Sequence, residues 1–222
     1  MPMPYAHLAL ANGCLDYLQV SDRDDFYLGA ISPDMRYFTK QPREKYHFPL
    51  AQLDNLVSQS DVSSSFELGY RVHLIIDELW YTEEMNNRYR SLFFFALRKR
   101  LSPKILESAL EYFCLTQRPV STHLKPRENG LTKKLGISSE DMNNAIISMQ
   151  SYIDRRSLQI GLDIAQGIGL YSNERLDQMR ALSSMVEKSR LRRLLVDLLV
   201  NPPSSNIYCY VVNQVRSRLA SG

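Results

Sequence analysis

The stretch Phe66-Glu67-Leu68-Gly69-Tyr70-Arg71-Val72-His73-Leu74-Ile75-Ile76-Asp77-Glu78-Leu79-Trp80 decides the fold class of this chain. Phe66, Gly69, Tyr70, Val72, Ile76 and Trp80 recur at three- and four-residue steps, the period of an α-helix, and Leu74, Ile75 and Leu79 make the other side apolar as well. Such a segment belongs in the middle of a helical fold, so the pattern predicts a central helix buried nearly all round. His73 and Asp77 stand four residues apart in it, so both leave the same face, the one carrying Tyr70 and Trp80, and enter the core. A buried imidazole or carboxylate is costly unless it is bonded or coordinated. Two readings follow: a His–Asp hydrogen bond that satisfies both groups, or shared ligation of a metal ion.

Upstream of this helix lie three more side chains of the same chemistry. In Phe26-Tyr27-Leu28-Gly29-Ala30-Ile31-Ser32-Pro33-Asp34, an apolar run ends in a Gly-to-Pro turn that sets the Asp34 carboxylate just outside the run. Taken singly, Asp34 also reads as a turn or helix-capping residue. His47 follows the charged segment Gln41-Pro42-Arg43-Glu44-Lys45-Tyr46 and precedes Phe48 and Pro49, where a polar loop turns back toward the core. His7 opens an amphipathic helix, from about His7 to Leu18, whose apolar set is Leu8, Leu10, Ala11, Cys14, Leu15 and Leu18.

In this order and spacing, the residues resemble the zinc-dependent phospholipase C family, which shares a helical fold with the fungal zinc nucleases that cut single-stranded nucleic acid. The resemblance is carried by His7, by Leu28-Gly29-Ala30-Ile31-Ser32-Pro33-Asp34, by His47-Phe48, and by Gly69-Tyr70 with His73, Asp77 and Trp80, over about the first 80 residues. It implies an all-α bundle of the phospholipase C and zinc nuclease type, with additional C-terminal helices. It also implies that Asp34, His47, His73 and Asp77 hold one zinc, with Asp77 bridging toward a second ion that His7 helps to bind. The chain departs from full members downstream. They hold a further zinc with two more His and a Glu at His-x-x-x-Glu spacing, whereas here the only histidine after Asp77 is His123, with Glu128 five residues on. Secreted members also use the mature N-terminal amine and Trp, while this sequence begins Met1-Pro2-Met3-Pro4-Tyr5. A single-metal centre is therefore expected.

Composition frames the rest. With 222 residues, 44% hydrophobic and 23% charged, the chain can bury one substantial core. It shows neither a basic-then-apolar leader pattern nor an apolar run long enough to span a bilayer, which predicts a cytoplasmic protein. Cys14, Cys114 and Cys209 are scattered and read as reduced packing residues. A net charge of +3 does not by itself indicate nucleic acid as a partner.

Further helices are expected over Arg88–Arg100, from Ser102-Pro103 through Leu106, Leu110 and Phe113, and from a Ser138 cap through Met142, Ile146, Met149 and Ile153 toward Ile160. A closing helix is expected through Ile207, Tyr210, Val211, Val215 and Leu219. The chain thus divides into a metal-binding helical core (1–116), a loop or lid (117–137) marked by Pro119, Pro126, Asn129-Gly130 and Gly136, and C-terminal helices (138–222) on the same core. Gly161, Gly167 and Gly169 lack the register of a phosphate-binding loop and read as a helix break. The basic stretch 190–199 (Arg190, Arg192 and Arg193 among leucines) suits docking on the core and, second, peripheral contact with an anionic membrane.

The function expected is a metal-dependent hydrolase of phosphoesters, a phosphodiester or phospholipid head group, acting through activated water, with Asp34, expected on a loop and so freest to loosen from the metal, as base. Zinc suits the His and carboxylate set, and manganese or iron fit the same donors. The alternative is a non-catalytic helical protein with a structural metal, or only a buried His–Asp network, that binds a partner.

Overall fold

Helix α1 (Pro4–Cys14) has no polar side over most of its length: every residue from Tyr5 to Ala11 is buried, His7 included. The amphipathic helix expected there is instead a core helix apolar all round, ending four residues earlier and passing into a short 3-10 turn at Leu15–Tyr17. The computed structural model describes residues 4–36, 42–50, 52–53, 64–85, 103–126, 132–133, 136–167, 169, 172–188 and 207–220. Over these residues the fold is all-α. The expected helix at 88–100, the basic stretch 190–199 and Glu128 lie outside the described residues.

After α1 come α2 (Arg23–Ile31), α3 (Ser64–Trp80), α4 (Pro103–Gln117), α5 (Ser139–Arg155), α6 (Leu158–Gly167), α7 (Asn173–Lys188) and α8 (Ile207–Ala220). Sequence-encoded caps start α2 and α5. The Asp22 carboxylate accepts the Asp25 N–H at 3.1 Å, and the Ser138 hydroxyl accepts the Asp141 N–H at 3.0 Å. Helix α5 stops at Arg155, short of the expected Ile160, because Arg156 takes a left-handed conformation (φ 47°) and a new helix begins at Leu158.

The central helix is α3, which packs against α1, α2 and α8. Its crossing with α2 is a backbone-to-backbone contact. A Cβ on Gly69 would collide with the Phe26 carbonyl oxygen, and a Cβ on Gly29 with the Phe66 carbonyl oxygen. The two glycines face each other across the crossing, and this brings the end of α2 against the ligand face of α3. A third glycine serves packing too. Gly161 lies inside α6 rather than at a break, and any side chain there would meet the ring of Tyr152.

Tyr152 in turn joins the C-terminal helices to α1. Its hydroxyl donates to Glu111 at 2.7 Å, and its ring lies 5.5 Å from that of Tyr5. Glu111, fully buried on α4, accepts the Tyr5 N–H at 3.1 Å and the Ala6 N–H at 2.6 Å, supplying acceptors for two of the orphan donors at the start of α1. Burial pushes its carboxyl up to about 7, against the pull of these three donors. From the other end of the chain, the Tyr208 hydroxyl on α8 donates to the Ala9 carbonyl at 3.0 Å. All these helices contribute to one hydrophobic cluster. No helix among the described residues is long and apolar enough to cross a membrane.

Candidate metal centre

The five side chains singled out in the sequence converge on one buried point. His7 comes from α1, Asp34 from a 3-10 turn (Ser32–Met35) that continues α2, His47 from the segment after a second 3-10 turn (Arg43–Lys45), and His73 and Asp77 from α3. Asp34 therefore does not sit in a loose loop. Its turn is wholly buried, and the Ser32 hydroxyl ties it to α2 by donating to the Leu28 carbonyl at 2.7 Å. The turn that carries Asp34 is thus bonded back onto the helix that crosses α3 at Gly29.

Each imidazole uses one ring nitrogen on the protein. The Nδ1 of His73 lies 2.7 Å from the Ala30 carbonyl oxygen, which can only accept, so Nδ1 carries the proton and Nε2 presents a lone pair. The Nε2 of His7 lies 3.2 Å from Asp77 Oδ1, and His47 Nδ1 lies 3.2 Å from Asp77 Oδ2. The atoms left over are His7 Nδ1, Asp34 Oδ1, His47 Nε2 and His73 Nε2, all buried and without a hydrogen-bond partner among the described residues. His7 Nδ1 has only Asp34 Oδ2 nearby, at 3.5 Å. The direct bond between His73 and Asp77 is not made: Nε2 and Oδ2 are 3.8 Å apart.

Two overlapping ligand groups result. His7, His73 and Asp77 form one and Asp34, His47 and His73 the other, with the ligand atoms of each within 4.8 Å of one another. The rings of His7 and His73 stack at 4.0 Å with 13° between planes, and His47 meets His73 edge-on at 5.2 Å. His73 is common to both groups. Buried orphan polar atoms cost about 1–3 kcal/mol each, so four in one place are a large fraction of the ~5–15 kcal/mol that holds a domain together. A cation in the second group accepts lone pairs from Asp34, His47 and His73 at once, and one in the first takes those of His7, His73 and Asp77. The residues fit a metal ion, and the mixture of imidazole and carboxylate suits a divalent transition metal.

The electrostatics agree. Burial, aided by the charge repulsion of neighbouring cationic groups, holds His47 down to about 2, and burial holds His73 down to about 4, so both stay neutral ligands at any physiological pH. Burial tends to raise Asp77, but the hydrogen bond from His7 and its other nitrogen neighbours outweigh it and hold the carboxyl below the ordinary carboxylate range. Asp34 is pushed up to about 6, chiefly by burial. Asp34 is therefore a point at which protons compete with a metal near pH 6. A metal binds the ionised form, so this group makes affinity fall about tenfold per pH unit as pH drops below about 6. Metal-buffered titrations check this, and equal affinity at about pH 5 and about pH 7 would contradict it.

His123, the remaining histidine, is exposed in the extended segment after α4 and takes no part. Three contributors were not singled out from the sequence: the Ala30 carbonyl, Glu111, and Arg43, whose Nη2 lies 3.1 Å from Asp77 Oδ2 and 3.4 Å from His47 Nδ1. Glu111 had a signal, a lone carboxylate inside the apolar run Leu110-Glu111-Tyr112-Phe113-Cys114-Leu115. Arg43 had a weaker one, four residues before His47. Comparison with family models, with curated proteins and with solved structures finds no match to this chain.

Proposed function

We propose that this protein is a metal-dependent phosphoester hydrolase, with zinc at the centre formed by Asp34, His47, His73 and Asp77 and with His7 beside it. The observation that carries the reading is that buried, unbonded donor atoms of Asp34, His47 and His73, from three separate segments, lie within 4.8 Å of one another, with His7 and Asp77 joined to His73 in an overlapping group. The ordered resemblance of those segments to the zinc-dependent phospholipases C supports the choice of a phosphodiester or phospholipid head group as substrate. Such an ion, when bound, lowers the pKa of a water and polarises a phosphoryl oxygen.

The chain's own groups do the remaining work. His73 is locked in one tautomer by Ala30 and His7 is held by Asp77, so neither ring can turn away from the centre. The enclosing side chains of α1, α2 and α3 exclude bulk water. Asp34 Oδ1 is buried without a hydrogen-bond partner among the described residues, and in this reading one oxygen of the Asp34 carboxylate faces the ion while the other accepts the proton of the attacking water. The water oxygen then joins phosphorus, the ester P–O bond breaks, and the departing alkoxide takes a proton, so that one water is consumed per ester cleaved.

Replacing Asp34 with Asn tests the assignment, because the amide keeps one coordinating oxygen but cannot accept a proton at neutral pH. The metal-loaded variant should remain folded and lose on the order of a hundredfold or more in turnover of a chromogenic phosphodiester. Wild-type turnover in the loaded variant removes Asp34 from the chemistry, and a metal-replete wild type inactive on every phosphoester favours a structural metal.

A further inference from the structure

We infer that Arg43 is the substrate-anion contact of this site: its guanidinium, which bonds Asp77, takes a non-bridging oxygen of a monoanionic phosphodiester, so that anionic phosphoesters rather than neutral esters or amides are the substrate class. The inference rests on the metal-dependent hydrolase reading and deepens it.

Exposure points to where substrate enters. The side chains of His7, Asp34, His47, His73 and Asp77 are 0–7% exposed, whereas that of Arg43 is 37% exposed. Arg43 is bonded into the cluster and touches solvent at the same time. It reaches Asp77 Oδ2 with Nη2 at 3.1 Å and passes 3.4 Å from His47 Nδ1, so it forms the wet wall of an otherwise dry site. A ligand approaching from water meets the guanidinium before it meets any of the buried donors.

Charge decides which ligand gains from that. The carboxylates of Asp34 and Asp77 offset a divalent ion, His47 and His73 are held neutral by burial, and Arg43 presents a cationic guanidinium that is in contact with solvent. A phosphodiester brings a negative charge to that guanidinium, while an amide or neutral ester brings none. Guanidinium also has the right geometry, since its parallel N–H groups match two phosphoryl oxygens, or one phosphoryl oxygen while a second N–H stays on Asp77. The donor already on Asp77 makes this a short exchange of acceptors rather than a rearrangement of the chain.

The test compares zinc-loaded wild type with Arg43→Ala and Arg43→Lys. Zinc content, binding of inorganic phosphate by calorimetry, and turnover of bis-p-nitrophenyl phosphate against p-nitrophenyl acetate are measured on each. Arg43→Ala should keep its zinc, bind phosphate on the order of tenfold more weakly or worse, and lose a similar factor in kcat/KM on the diester but not on the acetate. Arg43→Lys should recover part of the phosphate affinity. Phosphate affinity in zinc-replete Arg43→Ala within about twofold of wild type overturns the inference, since a charge-assisted contact is worth more than that. Loss of zinc from both variants also overturns it, making Arg43 a support for Asp77 alone, as does zinc-loaded wild type that binds no phosphate. Wild type that takes up no zinc fails differently, because it removes the hydrolase reading on which the inference stands.

Discussion

Gly69→Ala is expected to cost at least about 3 kcal/mol of stability and to empty the metal centre with it, although the change adds a single methyl group. The methyl would run into the Phe26 carbonyl oxygen, with the Ala30 amide and the Phe26 carbonyl carbon close behind. These are backbone atoms, so no side-chain rotation relieves the clash and the helices must part. Parting them pulls the Ala30 carbonyl away from His73 Nδ1, the bond that sets the tautomer of the shared ligand. For a chain of this size the loss corresponds to roughly 6–12 °C in Tm. Gly167→Ala is the control, since a Cβ there meets nothing within 4 Å. Thermal unfolding of both variants decides the matter: a Gly69→Ala protein melting within about 2 °C of wild type would show that the crossing yields more easily than its geometry implies.

The second large effect is on metal content. His73→Ala should leave less than about a tenth of an equivalent of divalent metal after desalting, because His73 belongs to both ligand groups and its Nε2 has no other partner. Removing a fully buried ring also leaves a cavity, so His73→Asn is the sharper variant. Its amide N–H stands near the position of Nδ1 and keeps a donor for the Ala30 carbonyl, but nothing replaces Nε2. It should stay folded and still release the metal. His123→Ala should retain a full complement, as that residue is exposed and distant from the cluster in sequence and role. Elemental analysis of the three variants, purified without chelator, reads the result. Equal metal loss in His123→Ala and His73→Ala would place the site elsewhere in the chain.

Much of the centre was legible because burying a charged or hydrogen-bonding group is expensive. His73 and Asp77 at helical spacing in an apolar segment could not both be ignored, and each of the other three ligands sits beside apolar neighbours that carry it inward. The central helix was equally legible, since a 15-residue apolar pattern with helical period has few alternatives; in the structure it runs from Ser64 to Trp80. Two of the corrected readings show why a local signal was not enough. Asp34 was expected to have the freedom of a loop, but Ser32 bonds back onto Leu28 and extends α2 into a buried turn. Gly161 was expected to break a helix, but it makes room for Tyr152. In both cases the local signal, Pro after Ser or a spaced glycine, was real and had two structural uses, and the choice between them depended on what packs opposite.

The order of side chains along the sequence thus determined which groups must be buried, the helical period that buries them, and the chemistry of the donor set, because these depend on residue type and on spacing within one element. Only the tertiary structure decided how the donors are held. Glu111 meets Tyr5 and Ala6 across more than a hundred residues, Ala30 meets His73 across 43, and Asp77 is shared among His7, His47 and Arg43. Those pairings select the tautomers, the lone pairs left facing the centre, and the partly exposed guanidinium at its edge. They arise where two helices can approach closely enough at Gly29 and Gly69 to bring a backbone carbonyl within reach of a ring, a distance that no pattern along a single element encodes.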